Sequence, residues 1–122
     1  VSLAALADAF FREVAASGEV FAIEHEDEGP ETWHLAGGIH ARPFFSSRAR
    51  AVRMLEGPLR RKGRVVVPHL TAEFRDQILP AMRAEGLLVG LNWSGMRARG
   101  YNLDPDQVLL SLQEASTRRA AG

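Results

Sequence analysis

Apolar positions recur at helical spacing from the start of the chain: Leu3, Leu6, Ala7, Phe10 and Val14 share one face, with Asp8 and Arg12 opposite. Ser2 is placed to cap this helix and Gly18 to end it in the left-handed conformation. The spacing then collapses into a short run, Val20-Phe21-Ala22-Ile23, apolar on both parities and bounded by charge, which predicts a strand buried on both faces. The acidic stretch up to Pro30 reads as a loop. Around Gly37-Gly38, a loop of Ala36 to Gly38 sets Trp33 and Leu35 against Ala41 and Ile39 on one face of a hairpin, with His34 opposite His40 on the other. Pro43 ends regular pairing, and Ser46 or Ser47 caps a helix whose Ala51, Val52 and Leu55 face inward until Gly57-Pro58.

Further on, Arg64 to Val67 predicts a short strand and Thr71 an N-cap, followed by a helix directing Phe74, Ile78 and Met82 to the core. Pro80 cannot donate to the carbonyl of Asp76, so a kink or two short helices is expected before Gly86. Leu87 to Trp93 is the most apolar strand, and Gly90 within it marks a bulge or a close backbone approach. Asp104 and Pro105 fit the cap and first turn of a last helix carrying Val108, Leu109, Leu112 and Ala115, with Gln107 at capping-box spacing. The expected fold is a single α+β domain over residues 1–115, with a tail from Ser116 to 122 that frays. Its mixed or antiparallel sheet has four to five short strands, flanked by four to five helices.

Composition narrows the chemistry more than the fold. Across 122 residues, 46% hydrophobic, there is no cysteine, which excludes disulfides, Cys-based zinc or iron–sulfur sites and a thiol nucleophile. No apolar run approaches the roughly 20 residues that cross a bilayer, so no membrane partner and a cytoplasmic location are expected. Fifteen Lys and Arg balance fifteen Asp and Glu, yet the charges segregate. Six acids and no Lys or Arg lie between Glu19 and Glu31, whereas Arg42 to Arg64 holds eight bases against Glu56 alone.

Leu70-Thr71-Ala72-Glu73-Phe74, Leu79-Pro80 and the run Glu85-Gly86-Leu87-Leu88-Val89-Gly90-Leu91-Asn92-Trp93 resemble the bacterial domain-of-unknown-function family 2750. Phe10-Phe11 with Ser17-Gly18-Glu19-Val20-Phe21 looks like that family's opening helix and first strand, and Pro43-Phe44-Phe45-Ser46 like its proline-aromatic segment. The chain departs from the family pattern in having Phe45 where tryptophan is usual, and a middle, Glu56 to Val66, poorer in acids and aromatics. The resemblance implies a small bacterial α+β domain without an established activity; it supports the fold and leaves function open.

Among the four histidines none has metal-site spacing on one element. The hairpin register would bring the Cβ atoms of His34 and His40 to roughly 5 Å, close enough to share a divalent metal given a third ligand such as Glu24 or Glu31; the plainer reading is a polar outer face. The clustered carboxylates fix no acid–base separation, and no serine sits in a nucleophile motif. Neither the glycines nor the basic stretch carries a specific nucleotide or nucleic-acid signal, and no cofactor is implied. Arg50 and Arg53 read as solvated, whereas Arg48, near the buried azimuth at a helix N-terminus, needs a carboxylate, an anion or a partner. Its plain explanation is an ion pair with the Glu24 to Glu31 loop. Arg42 lies just upstream. Asn92-Trp93 closes an apolar strand, where ligand contacts often lie, although a capping amide beside a core indole explains it too.

The favoured reading is a non-catalytic protein-interaction module or a self-associating homo-oligomer, with a homodimer or another protein as partner and Arg42, Arg48, Asn92 and Trp93 as contact residues. The alternative is a small-ligand or metal-binding protein, or an enzyme, with a pocket near Arg48, His34, His40, Asn92 and Trp93, the metal held by His34 and His40.

Overall fold

In a computed structural model that describes residues 2–122, Ser2, Ser47 and Asp104 cap the helices that follow them. Ser2 Oγ accepts the Ala5 N–H at 3.1 Å, and helix α1 (Leu3–Ser17) ends at Gly18, whose φ of 76° only glycine adopts without strain. The chain continues as β1 (Glu19–His25), β2 (Gly29–Pro30), β3 (Trp33–His34), a 3-10 turn (Ala36–Gly38), β4 (His40–Phe45) and α2 (Arg48–Glu56), which Ser47 caps. It then forms β5 (Arg64–Leu70), α3 (Thr71–Glu73), a π-helical turn (Phe74–Ile78), α4 (Leu79–Glu85), β6 (Leu88–Ser94), β7 (Arg99–Leu103) and α5 (Pro105–Ala121).

The result is an α+β domain with a mixed sheet. β1 pairs along its whole length with β5; its other side pairs with β4 near Phe21 and Ala22 and with β2 near Glu24. β4 runs parallel to β6 and antiparallel to β1 and β3, and β6 is antiparallel to β7. Two cores lie on opposite faces. Val20 and Ala22 of β1 join Phe10 and Val14 of α1, Phe74, Met82, Val89, Leu91 and Val108 on one. Phe21 and Ile23 join Phe45, Ala51, Met54, Leu59 and Trp93 on the other. The double-sided burial read from the Val20 to Ile23 run is present, as is the hairpin register, Trp33 opposite Ala41 and His34 opposite His40.

The sheet has seven strands rather than four to five, because two pairing segments lack any strand pattern. Gly29–Pro30 lies inside the acidic loop, and Arg99–Leu103 is polar, pairing on the strength of its backbone alongside β6. β5 extends past Val67 through Pro68, which an edge strand tolerates. Thr71 opens the next helix without capping it: its N–H donates to Gly18 O at 2.9 Å and its hydroxyl is buried without a partner. Pro80 enters α4 directly after a π turn that separates it from α3. The helical path is continuous over 71–85, with Leu79 N–H reaching back to Phe74 O, so the missing donor falls where the register returns from i→i+5 to i→i+4. α5 runs to Ala121, through the segment assigned to a fraying tail. Among the described residues no helix is long and apolar enough to cross a membrane.

Gly90 marks a close approach. A Cβ there would lie 2.5 Å from the Trp93 indole, which Asn102 Oδ1 holds through Nε1–H at 2.9 Å and which packs edge-on against Trp33 with centroids 5.6 Å apart. With the ring pinned on these sides, Gly90→Ala should destabilise the fold by about 2 kcal/mol. Urea unfolding checks this; an unchanged midpoint would show that the indole has room to move.

Candidate functional site

Alternation along β1 carries Glu24 to the same face as Val20 and Ala22, and along β4 carries Arg42 to the face of Phe44. His69 of β5 stands opposite Val20 on that face. These three polar side chains therefore emerge where the core beneath α1 and the 71–85 helix gives out. They line an open cavity of about 200 Å³ together with Ala22, Pro30, Phe44, Ile78, Ala81 and Gln77 of the π turn. Small Ala22 lies between Glu24 and His69, and the two longer side chains meet over it.

His69 is held at both nitrogens: Nε2 lies 3.0 Å from Glu24 Oε2 and Nδ1 2.7 Å from Glu73 Oε1. Both contacts can be hydrogen bonds to ionised carboxylates only when both ring nitrogens carry protons. Opposite, Arg42 Nε donates to Thr32 Oγ1 at 3.0 Å and Nη2 to Glu85 Oε2 at 3.3 Å. Among the described residues the second oxygen of Glu24 and the second terminal nitrogen of Arg42 meet no partner. The cavity thus offers an acceptor and a donor among largely apolar lining, and no serine, threonine, cysteine or lysine lines it. A larger groove between α4 and α5, about 460 Å³, holds no histidine, and its charged side chains are already paired, Arg75 with Asp76 and Arg83 with Asp106.

Sequence reading reached Arg42 but missed His69. It ended the strand at Val67, which left His69 in a connection with no face; the usable signal was Glu73 four residues on. The other candidates are dispersed. Among the described residues no carboxylate pairs with Arg48; its guanidinium lies 5.3 Å from the centre of the Phe21 ring. The ion pair between the acidic and basic stretches is made instead by Arg64 and Glu31 at 2.6 Å, both about one-tenth exposed. Glu24 and Glu31, suggested as third metal donors, are thus committed to His69 and Arg64. His34 Nδ1 and His40 Nε2 face one another at 2.9 Å, and among the described residues no group of three His, Cys, Asp or Glu is placed to hold a metal.

Asn92 is buried and left-handed, φ 50°, at the irregularity between β6 and β7. Its Oδ1 accepts the Ser46 N–H at 2.9 Å, and its Nδ2 donates to Ser46 Oγ at 2.9 Å and Leu6 O at 3.2 Å. Ser46 Oγ in turn donates to Glu13 Oε1 at 2.7 Å. Arg50, anticipated as solvated, clamps the same carboxylate through Nε and Nη2 at 3.1 and 2.9 Å. Asn92 and Trp93 also border a cleft with Arg50 and Arg53, but none of Arg48, His34 or His40 borders it, so the pocket imagined from sequence is not assembled there.

The family model described as "Protein of unknown function (DUF2750)" matches residues 7–112, a span that takes in the cavity, the His34–His40 pair and the Asn92 junction. No curated protein matches the chain.

The Glu13–Arg50 clamp makes acid stability testable. The Arg50 hydrogen bonds, with help from Ser46, hold the Glu13 carboxyl below its ordinary value against the opposing effect of burial. A depressed carboxylate stabilises the fold above its unfolded pKa of about 4.3, and that contribution is lost as the pH falls through the lower folded value. Glu13→Gln should therefore cost about 1 kcal/mol at neutral pH and progressively less below pH ~4. Urea unfolding of both proteins across this range checks it; a difference independent of pH would refute the clamp.

Proposed function

Because the chain belongs to that family of unknown function, we propose from its own geometry that it is a small-ligand-binding protein whose site is the cavity between β1, β4 and the π turn. The observation that carries this reading is the convergence of Glu24, bound to His69, and Arg42, bound to Glu85, on one cavity whose other lining is largely apolar. Lone polar groups at a sheet surface need no such arrangement, since water satisfies them. The cavity is smaller than the roughly 300–1,000 Å³ of sites for drug-sized ligands, which favours a compact metabolite. Its chemistry suits an apolar body bearing one cationic or N–H group for Glu24 and one anionic or carbonyl group for Arg42, as in an amino acid with an aliphatic side chain.

The probes are free aliphatic amino acids, their N-acetyl derivatives and their C-terminal amides. The free zwitterion should raise the melting temperature saturably, acetylation should weaken binding through loss of the Glu24 contact, and amidation through loss of the Arg42 contact. Arg42→Gln should weaken the zwitterion about tenfold or more, a charged hydrogen bond being worth about 1.5–3 kcal/mol. The reading fails if none of the probes shifts the melting temperature or if Arg42→Gln leaves the response intact.

We propose self-association as a second reading, on the observation that β5 is an edge strand of seven residues with Leu70 66% and Val65 37% exposed. An edge with free N–H and C=O groups is a template for a second copy, even with Pro68 removing one donor. Sedimentation velocity over a wide concentration range should show a dimer that Leu70→Lys dissociates; a monomer throughout refutes it.

A further inference from the structure

We propose that His34 and His40 form a two-imidazole chelate for a divalent ion of square-planar or octahedral preference, copper(II) above all. They differ from the other two histidines in having nitrogens that face each other. His69 is occupied on both sides by carboxylates, and His25 accepts the Asp27 N–H at Nδ1 and packs its ring against the backbone of Gly63. In the pair, His34 Nδ1 and His40 Nε2 are 2.9 Å apart, with ring planes at 75°.

The backbone holds this separation. Leu35 N–H donates to Ile39 O at 2.6 Å, so His34 and His40 occupy the next, non-hydrogen-bonded pair, where cross-strand approach is closest. The neighbours on the opposite face are anchored: Ala41 is fully buried and Trp33 packs on Trp93. The two imidazoles are therefore presented on a rigid element, partly in solvent, with room for water in the remaining coordination positions.

The distance selects the metal. With metal–nitrogen bonds of about 2.0–2.1 Å, nitrogens 2.9 Å apart subtend about 90°, the cis angle of a square-planar or octahedral ion. A tetrahedral ion would need them about 3.3 Å apart. Copper(II) also heads the general order of affinity for nitrogen sites. With both rings neutral, one of the facing nitrogens donates its proton to the other; on binding, the ring that carried it tautomerises through solvent, so that His34 Nε2 and His40 Nδ1 each bear the single proton of their ring, both facing lone pairs go to the metal and no net proton is released.

The test titrates the full chain with copper(II) chloride, and separately with nickel(II) and zinc(II) chloride, by calorimetry, with electron paramagnetic resonance reporting nitrogen ligation of copper. The expected result is one equivalent of copper bound through nitrogen, tighter than zinc. His34→Ala and His40→Ala should each weaken copper by about tenfold or more, and His69→Gln should leave it unchanged. Melting curves confirm that the variants stay folded, which the exposed position of the hairpin face favours. Absence of saturable binding, equal copper binding by the His34→Ala/His40→Ala double variant, or a preference for zinc would each overturn the proposal.

Discussion

β1 has no solvent face, and the rest of the molecule is arranged around that constraint. Val20, Phe21, Ala22 and Ile23 are all at most 7% exposed, so layers must cover both sides: α1, α4 and α5 on one, α2 and Leu59 on the other. Burying each of the three large side chains contributes about 1.5–3 kcal/mol, against about 0–1 kcal/mol for an exposed ion pair. Packing therefore sets the register of β1 with β5, since a slip of one residue would exchange the two cores. The polar groups follow that register. The alternation that puts Val20 and Ala22 under α1 also brings Glu24 out at the rim on the same face, and the pairing sets His69 opposite Val20, one step beyond the Ala22–Val67 pair. The candidate site is a by-product of core alternation carried one step past the core.

The same economy explains Asn92. Val89 and Leu91 face the α1 side, whereas Trp93 belongs to the opposite core, so β6 has to change phase. It does so at a left-handed residue, and asparagine tolerates that conformation better than most side chains. Turning inward, its amide would cost about 1–3 kcal/mol if unsatisfied. Ser46 and the Leu6 carbonyl prevent that cost, which ties β4, α1 and β6 at one buried point. Arg50, Glu13 and Ser46 extend the junction to the surface.

What the sequence makes legible is what neighbouring residues decide among themselves. Ser2, Ser47 and Asp104 cap because the donors they meet lie three residues on, and the hairpin register follows from the length of its loop. Features decided by distant partners stay hidden. Glu24 and His69 are separated by 45 positions and Arg64 and Glu31 by 33, and nothing local distinguishes these charges from solvated ones. β7 is invisible for a related reason: its side chains carry no alternation, because β6 supplies the apolar side of their pairing.

Pro80 lies between these two regimes. That it disturbs a helix is evident from its missing N–H; how the disturbance is absorbed depends on what the helix packs against. Leu79 and Met82, both at most 2% exposed, hold α4 on the core, and the missing donor is absorbed beside the π turn over Phe74–Ile78. The wider turn brings Gln77 beside Ile78 above the cavity, four residues before Ala81, so the amide at the rim, like Glu24 on β1, owes its position to apolar side chains that never touch a ligand.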